Sequence, residues 1–142
     1  MATRSTIAVV HQNGTVTQVY CHFDGYLDGV GATLVEHYPR LDRVEFLVNL
    51  GDISSLGQYA TGSEDHSFNN PELDTTVFYG RDRGETGCEP RKFPSLDDYQ
   101  LYFQAQEYNY LFKDGQWFYK LEVNDPQFHS VEMELAKHKE AQ

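Results

Sequence analysis

Long apolar runs are missing from this sequence. The longest, IAVV at residues 7–10, has four residues, whereas a membrane-spanning helix needs roughly 18. The N-terminal stretch MATRSTIAVV also lacks the apolar core and the small-residue cleavage site of a signal peptide. We therefore expect no membrane segment, no secretion and a location in the cytoplasm.

Cysteine is nearly absent, because Cys21 and Cys88 are the only two thiols. They belong to no CxxC pair, and two thiols are too few for a disulfide-rich secreted fold. The six histidines are scattered and form neither HxH nor HExxH. We expect a reduced protein without a metal or another cofactor.

Basic residues are scarce, with 11 Lys and Arg against 22 Asp and Glu and a net charge of −11. Such a charge repels nucleic acid and anionic membranes, and it attracts a basic protein surface. Residues 42–80 hold one base and seven acids. We predict that the seven acids form a surface that binds a partner: Asp42, Glu45, Asp52, Glu64, Asp65, Glu72 and Asp74. The alternative is a charge that only keeps the protein in solution.

Two dipeptides, Asn13-Gly14 and Asp114-Gly115, predict tight β-hairpins. In the first hairpin we pair Gln12 with Thr15, which places Cys21 and Phe23 on the apolar face. In the second we pair Lys113 with Gln116, which places five aromatic residues on one face: Tyr108, Tyr110, Phe112, Trp117 and Tyr119. Such a face could stack bases, but cross-strand aromatic pairs more often belong to a core or an interface.

Helices are predicted at ATLVEHY before Pro39, at LDRVEFLVNLG, at LDDYQLYFQAQ after a Ser95–Asp98 capping box, and in the C-terminal tail. Val131, Met133 and Leu135 also alternate, which leaves a strand open there. TTVFYG predicts a short strand, and the segments around it predict loops. The order ββααβαββα predicts one α+β domain over residues 1–142, with a mainly antiparallel sheet and three to four helices.

The segment YCHFDGYLDGVG, residues 20–31, concentrates groups that often carry chemistry. Cys21, His22 and Asp24 are metal-ligand types, but strand alternation points Cys21 away from the other two. The glycines fit neither phosphate-loop pattern, since no lysine follows and Asp28 would repel phosphate. We expect this segment to form a corner between a strand and a helix, with Asp28 in the first turn of the helix and Cys21 in the core. We also expect that the protein is not an enzyme.

Arg81 and Arg83 are clustered bases in this acidic protein and directly follow the acidic stretch. As an alternative function, they could hold a nucleotide-like anion together with His22 and Tyr26. Local pairing of these arginines with Asp82 or Glu85 is the simpler interpretation. A hydrolytic reaction through His22 and Asp24 ranks third.

Several segments together resemble a family of small proteins encoded by phages and mobile elements, which has no established activity. They are YCHFDGYLDGVGATLVEHY, LGDISSLG, YGRDRGE and NYLFKDGQWFY, and the resemblance extends over residues 5–120. It implies a protein made in the cytoplasm of an infected bacterium and brings no catalytic residues. We therefore predict an accessory protein that binds and inhibits a host protein, such as a defence system or a nucleic-acid enzyme. Its acidic surface would imitate nucleic acid, and its exposed hairpins also permit a homodimer.

Overall fold

The computed structural model describes residues 2–122, 125 and 127–140, the last three by their backbone only. These residues form eight strands: β1 (Ser5–Val10), β2 (Val16–Cys21), β3 (Ile53–Ser55), β4 (Val77–Phe78), β5 (Arg91–Phe93), β6 (Tyr108–Lys113), β7 (Gln116–Leu121) and β8 (His129–Ser130). They also form five α-helices: α1 (Ala32–His37), α2 (Leu41–Asn49), α3 (Tyr79–Arg83), α4 (Leu96–Tyr102) and α5 (Val131–Glu140). A π-helical turn, Leu27–Gly31, leads into α1. The predicted α+β class is confirmed.

All eight strands belong to one mixed sheet in the order β4-β3-β2-β1-β6-β7-β8, and β5 pairs with the first half of β2. β1 is parallel to β6, and β2 is parallel to β3. The prediction of two hairpins and one short strand therefore missed three strands, β3, β5 and β8. Each has only two or three residues, which is too short for an alternating pattern to stand out.

The second hairpin has the predicted register. Lys113 pairs with Gln116, Phe112 with Trp117 and Tyr110 with Tyr119. Asp114 and Gly115 have φ angles of 52° and 77°, as a two-residue type I′ turn requires.

The predicted register of the first hairpin is wrong by one residue, since Val10 pairs with Val16 and Ile7 with Val19. Gly14 has a φ of 88°, and its N–H donates to the carbonyl of His11. Asn13 does not adopt a positive φ; its Oδ1 accepts the backbone N–H of Thr15 at 3.1 Å. The connection is therefore a type I turn followed by a left-handed glycine, which is one residue longer than the predicted loop.

The sheet is covered on both faces. The first face carries the main core, to which α1, α2 and α5 and the aromatic residues of β6 and β7 contribute, with Phe112 and Trp117 each 2% exposed. The second face carries a smaller core of Ala8, Val16, Leu111 and Tyr99, closed by α4. The aromatic face of the second hairpin is thus core and not an open stacking platform.

The helix predictions are confirmed for α1, α2 and α5, and the side chain of Ser95 caps α4 by accepting the N–H of Asp98 at 3.1 Å. α4 ends at Tyr102, four residues before the predicted end. The strand predicted over residues 75–80 is shorter than expected, because α3 begins directly after β4. Residues 131–135 are helical, so the alternative strand there is wrong. Among the described residues, no helix combines the length and apolarity needed to cross a bilayer.

Candidate functional site

The YCHFDGYLDGVG segment is a structural corner. Cys21 is fully buried, its thiol donates to the carbonyl of Phe23 at 3.8 Å, and burial raises its pKa to about 12. His22 lies outside that core, with its Nδ1 2.7 Å from the Tyr20 hydroxyl. Nowhere in the described ranges do three or more His, Cys, Asp or Glu side chains gather as metal ligands. A thiolate nucleophile needs a low pKa and access to solvent, and Cys21 has neither.

The glycines of this corner allow close packing. A Cβ at Gly25 would lie 2.8 Å from the Cβ of Ser5, and one at Gly29 would lie 2.3 Å from the carbonyl oxygen of Asp24. The buried hydroxyl of Tyr110 donates to the Gly25 carbonyl at 2.7 Å, which fastens the corner to β6. Asp28 lies in the first turn, as predicted. These contacts explain the glycines without a phosphate ligand.

One arrangement that the sequence did not reveal has the connectivity of a catalytic triad. The imidazole of His11 contacts a carboxylate oxygen of Glu45 through Nδ1, and its Nε2 lies 2.7 Å from the Thr17 hydroxyl. Thr17 is only 3% exposed in the middle of β2, so its hydroxyl has no access to a substrate. The contact instead holds α2 against the first hairpin.

Arg81 is the centre of a hydrogen-bond network. Its guanidinium donates to both carboxylate oxygens of Asp82, at 2.9 and 3.0 Å, and to the carbonyls of Ala60 at 2.7 Å and Thr76 at 3.0 Å. It also lies 4.5 Å from the ring centre of Phe78. The simpler interpretation, local pairing with Asp82, is confirmed for Arg81.

Asp82 extends this network to His66. Its Oδ2 accepts the backbone N–H of Phe78 at 2.8 Å and lies 3.3 Å from His66 Nε2. Since the Nδ1 of His66 accepts the N–H of Glu72, its Nε2 carries the proton and donates to Asp82. Burial raises the pKa of Asp82, but hydrogen bonds from Arg81 and Phe78 outweigh that effect and hold the pKa below its ordinary value.

This network anchors the long polar segment 59–76, which we call the anchored loop. The ends of the loop meet where the N–H of Thr76 donates to the carbonyl of Tyr59 at 2.8 Å. Near its middle, the carboxylate of Glu72 accepts the backbone N–H of Ser63 at 2.7 Å. A loop with this many internal hydrogen bonds keeps its surface side chains in a fixed arrangement.

The seven predicted acids separate into two groups. Three make contacts within the chain: Asp52, which is 7% exposed and pairs with Arg91 at 3.1 Å; Glu45, with His11; and Glu72, with Ser63. Asp52 also accepts the N–H of Tyr20, so its place on an open acidic surface is a wrong expectation. The other four are exposed: Asp42, Glu64, Asp65 and Asp74. Asp42 has Arg40 beside it, at 3.1 Å.

The elements that carry the exposed acids, α2 and the anchored loop, also carry large exposed apolar side chains. Phe46 on α2 is 52% exposed, and Tyr59 and Leu73 of the anchored loop are 54% and 87% exposed. Asp42, Phe46 and Tyr59 line one hollow of about 400 Å³ between α2 and the loop. Leu73 and Asp74 line a neighbouring hollow of about 490 Å³ beside α1. We call this set the acidic-aromatic surface: Asp42, Phe46, Tyr59, Glu64, Asp65, Leu73 and Asp74.

The apolar members of this surface were missed at the sequence level, although one signal was present. The apolar pattern of α2 runs through Leu41, Val44, Leu47 and Val48, and Phe46 lies outside it. An aromatic residue on the polar side of an amphipathic helix indicates a contact beyond the core. Tyr59 and Leu73 had no comparable signal, because the loop has no regular period.

The structure does not bring together the four residues of the alternative anion site, His22, Tyr26, Arg81 and Arg83. A ligand at Arg81 would compete with Asp82 and two backbone carbonyls. Arg83 lies over the ring of Phe68, 4.9 Å from its centre. His22 follows β2 and Tyr26 lies in the corner, whereas the arginines follow β4, and β3 separates β4 from β2 in the sheet.

Comparisons of the chain with protein-family models, with curated proteins and with solved structures give no match. The resemblance to phage-encoded proteins stays a prediction.

Proposed function

We propose that this protein is a binding module whose acidic-aromatic surface docks onto a basic patch of another protein and blocks it. The observation that carries the proposal is the exposure of apolar and acidic side chains on α2 and the anchored loop. Phe46, Tyr59 and Leu73 are each more than half exposed, and four exposed carboxylates belong to the same stretch of sequence, residues 42–74. Exposed apolar groups with a polar rim mark interaction sites.

The two kinds of side chain have different roles in this proposal. Aromatic side chains supply most of the binding energy at protein interfaces, through the apolar area that they bury. The carboxylates steer a basic partner towards the surface and raise the association rate at low salt. The anchored loop adds preorganisation, because the Arg81–Asp82–His66 network holds its end before the partner arrives.

The resemblance supplies the class of partner. A protein made by a phage acts on the host, and an acidic surface suits a host enzyme or defence protein whose basic groove binds nucleic acid. The site of action is then the bacterial cytoplasm. Direct binding of nucleic acid or of a membrane and a reaction of its own are not part of the proposal.

The first experiment captures partners from bacterial lysate with the tagged protein and elutes them in steps of rising salt. A stoichiometric host protein released by salt would be purified, and its Kd measured at several salt concentrations. The test variant is D42N/E64Q/D65N/D74N. The matched control, E85Q/E89Q/D97N/E107Q, neutralises four exposed acids elsewhere, so both variants raise the net charge of −11 by four.

We expect the test variant to weaken binding by about tenfold and to flatten its salt dependence, with the control close to the wild type. F46A/Y59A should weaken binding by about tenfold or more. L101A/Y102A is its matched control, since Leu101 and Tyr102 are 73% and 71% exposed on α4. Equal losses in test and control variants would refute this surface as the binding site.

A further inference from the structure

A groove on the second face of the sheet has a different chemistry from the rest of this acidic molecule. It has a volume of about 330 Å³ and lies between α4, the strands β6 and β7, and residues 127–128. Its lining includes Leu96, Leu111, Phe118 and Phe128, with two lysines, Lys113 and Lys120. Nothing in the proposed function uses this groove, which lies on the face of the sheet away from α2.

The register of the second hairpin determines the layout of the groove. Leu111 pairs with Phe118, and this pair forms an apolar floor. Lys113 and Lys120 are on the same face as that floor, each two residues along its own strand and towards opposite ends. Since strands rise about 3.4 Å per residue, the backbones of the two lysines lie about 14 Å apart along the strands, on either side of the apolar centre.

None of the described residues that line the groove is acidic. Its remaining lining residues, Gln100 and Gln127, have neutral amides. The ion pairs found in the described part of the chain include none at Lys113 or Lys120, although acids outnumber bases 22 to 11. Both lysines are partly buried, and partly buried positive charge without a counter-charge attracts an anion.

The groove is held firmly enough to recognise a ligand. Asn109, which is fully buried beside it, bonds to Thr6 at 2.9 Å and to the Lys120 carbonyl at 3.1 Å, and so joins three strands. Lys120 is held with its Nζ 5.7 Å from the ring centre of Phe128. The volume is at the lower end of the range for small-molecule sites.

We propose that this groove binds a small organic anion, with an apolar or aromatic body on Leu111 and Phe118 and a carboxylate, phosphate or sulfonate held at either end by Lys113 or Lys120. This site differs from the arginine cluster considered from the sequence, because its two lysines line one cavity and have no ion pair within the part of the chain that the structure describes.

The test uses 8-anilinonaphthalene-1-sulfonate, a fluorescent aromatic sulfonate, as the probe. We expect saturable binding with one probe per chain by native mass spectrometry, and a Kd about tenfold weaker in K113Q/K120Q. K92Q/K137Q, in which two exposed lysines elsewhere change, should bind as the wild type does. Equal Kd values in the two variants, or no saturable binding to the wild type, would overturn the proposal.

A second probe separates the contribution of the sulfonate charge to binding from that of the apolar contacts. N-phenyl-1-naphthylamine has the same aromatic body without the sulfonate, and it should bind more weakly and equally to the wild type and K113Q/K120Q. If it binds as tightly as the sulfonate, the groove selects apolar groups and not anions. A dimer in native mass spectra that excludes the probe would identify a second copy of the chain as the occupant and equally overturn the proposal.

Discussion

At the scale of single residues, the buried tyrosines show how much one hydroxyl can matter. Tyr110 and Tyr99 are both fully buried, and burial raises the pKa of each above its ordinary value. The hydroxyl of Tyr110 donates to the Gly25 carbonyl at 2.7 Å. The hydroxyl of Tyr99 has no hydrogen-bond partner among the described residues.

We predict opposite effects of the same deletion at these two positions. Tyr110→Phe should lower the free energy of unfolding by about 1–2 kcal/mol, because it leaves a buried carbonyl without its donor. Tyr99→Phe should be neutral or stabilise by up to about 1 kcal/mol, because it removes a buried polar group that has no partner on the protein. Urea denaturation of the three proteins measures both effects.

Each variant is the control for the other, since both remove one hydroxyl from a buried ring. A loss of more than about 1 kcal/mol in Tyr99→Phe would show that its hydroxyl is hydrogen-bonded. No loss in Tyr110→Phe would show that the corner does not depend on this bond.

Single residues also mark where sequence reasoning reached its limit. Strand alternation correctly separated Cys21 from His22, because it is a local property of the backbone. The burial of Asp52 could not be predicted, since its partners Tyr20 and Arg91 lie 32 and 39 residues away in sequence. The full burial of the polar Asn109 likewise has no local signal, because its amide bonds to backbone groups of Gln106 and Lys120.

At the scale of elements, the anchored loop depends on one carboxylate. The side chain of Asp82 is 6% exposed and receives hydrogen bonds from Arg81, Phe78 and His66. Since Asp82 holds both His66 and Arg81, and Arg81 in turn holds the carbonyls of Ala60 and Thr76, the loop should loosen when this carboxylate is lost.

We predict that Asp82→Asn lowers the free energy of unfolding by about 2–4 kcal/mol, because it leaves buried donors without their charged acceptor. Limited proteolysis should then cut within residues 61–73 faster than in the wild type. The exposed Asp97→Asn is the matched control and should change neither result. An unchanged cleavage rate in Asp82→Asn would show that the network does not hold the loop.

The same carboxylate gives a pH dependence with a defined sign. Folding lowers the pKa of Asp82 below its ordinary value of 3.8, so the unfolded chain binds this proton more tightly than the folded protein. The stabilisation is therefore fully present above about pH 5 and is lost as the pH falls through the folded pKa. Stability of the wild type should fall more steeply below pH 4 than that of Asp82→Asn. Asp125, whose pKa is also lowered, contributes equally to both proteins.

The two hairpins show which elements a sequence can specify. In the second hairpin, Asp114 and Gly115 both adopt positive φ, so the dipeptide determines the register by itself. In the first hairpin, the side chain of Asn13 bonds to Thr15 and a longer loop results. The dipeptide Asn-Gly is compatible with both turns, and the choice depends on which face of β1 meets the main core.

At the scale of the whole molecule, one sheet carries two surfaces of opposite character. The acids of the acidic-aromatic surface lie around α2 and the anchored loop, and two lysines line the groove beside α4. The central strands β1 and β2 are buried on both faces, with Ile7 and Val19 in one core and Ala8 and Val16 in the other. This strand order joins segments that are distant in sequence, above all β1 and β6. For that reason neither surface could be predicted from the sequence alone.

The net charge of −11 also acts on the molecule as a whole. Like charges repel more strongly in the compact state than in the unfolded chain, and salt screens them over about 30 Å at 0.01 M and about 10 Å at 0.1 M. We therefore predict that the thermal unfolding midpoint rises by several degrees as NaCl increases from about 0.01 to about 0.3 M. The two quadruple variants, D42N/E64Q/D65N/D74N and E85Q/E89Q/D97N/E107Q, should both show a smaller rise.

This experiment separates the two roles that the acidic residues can have. Self-repulsion depends mainly on the number of charges, so both variants should change the salt dependence of stability by similar amounts. Partner binding depends on position, so only the first variant should lose it. A midpoint that falls with NaCl would show that local ion pairs such as Arg91–Asp52 outweigh the net repulsion. Equal stability effects combined with unequal binding would assign the charge of the acidic-aromatic surface to recognition and the remaining charge to solubility.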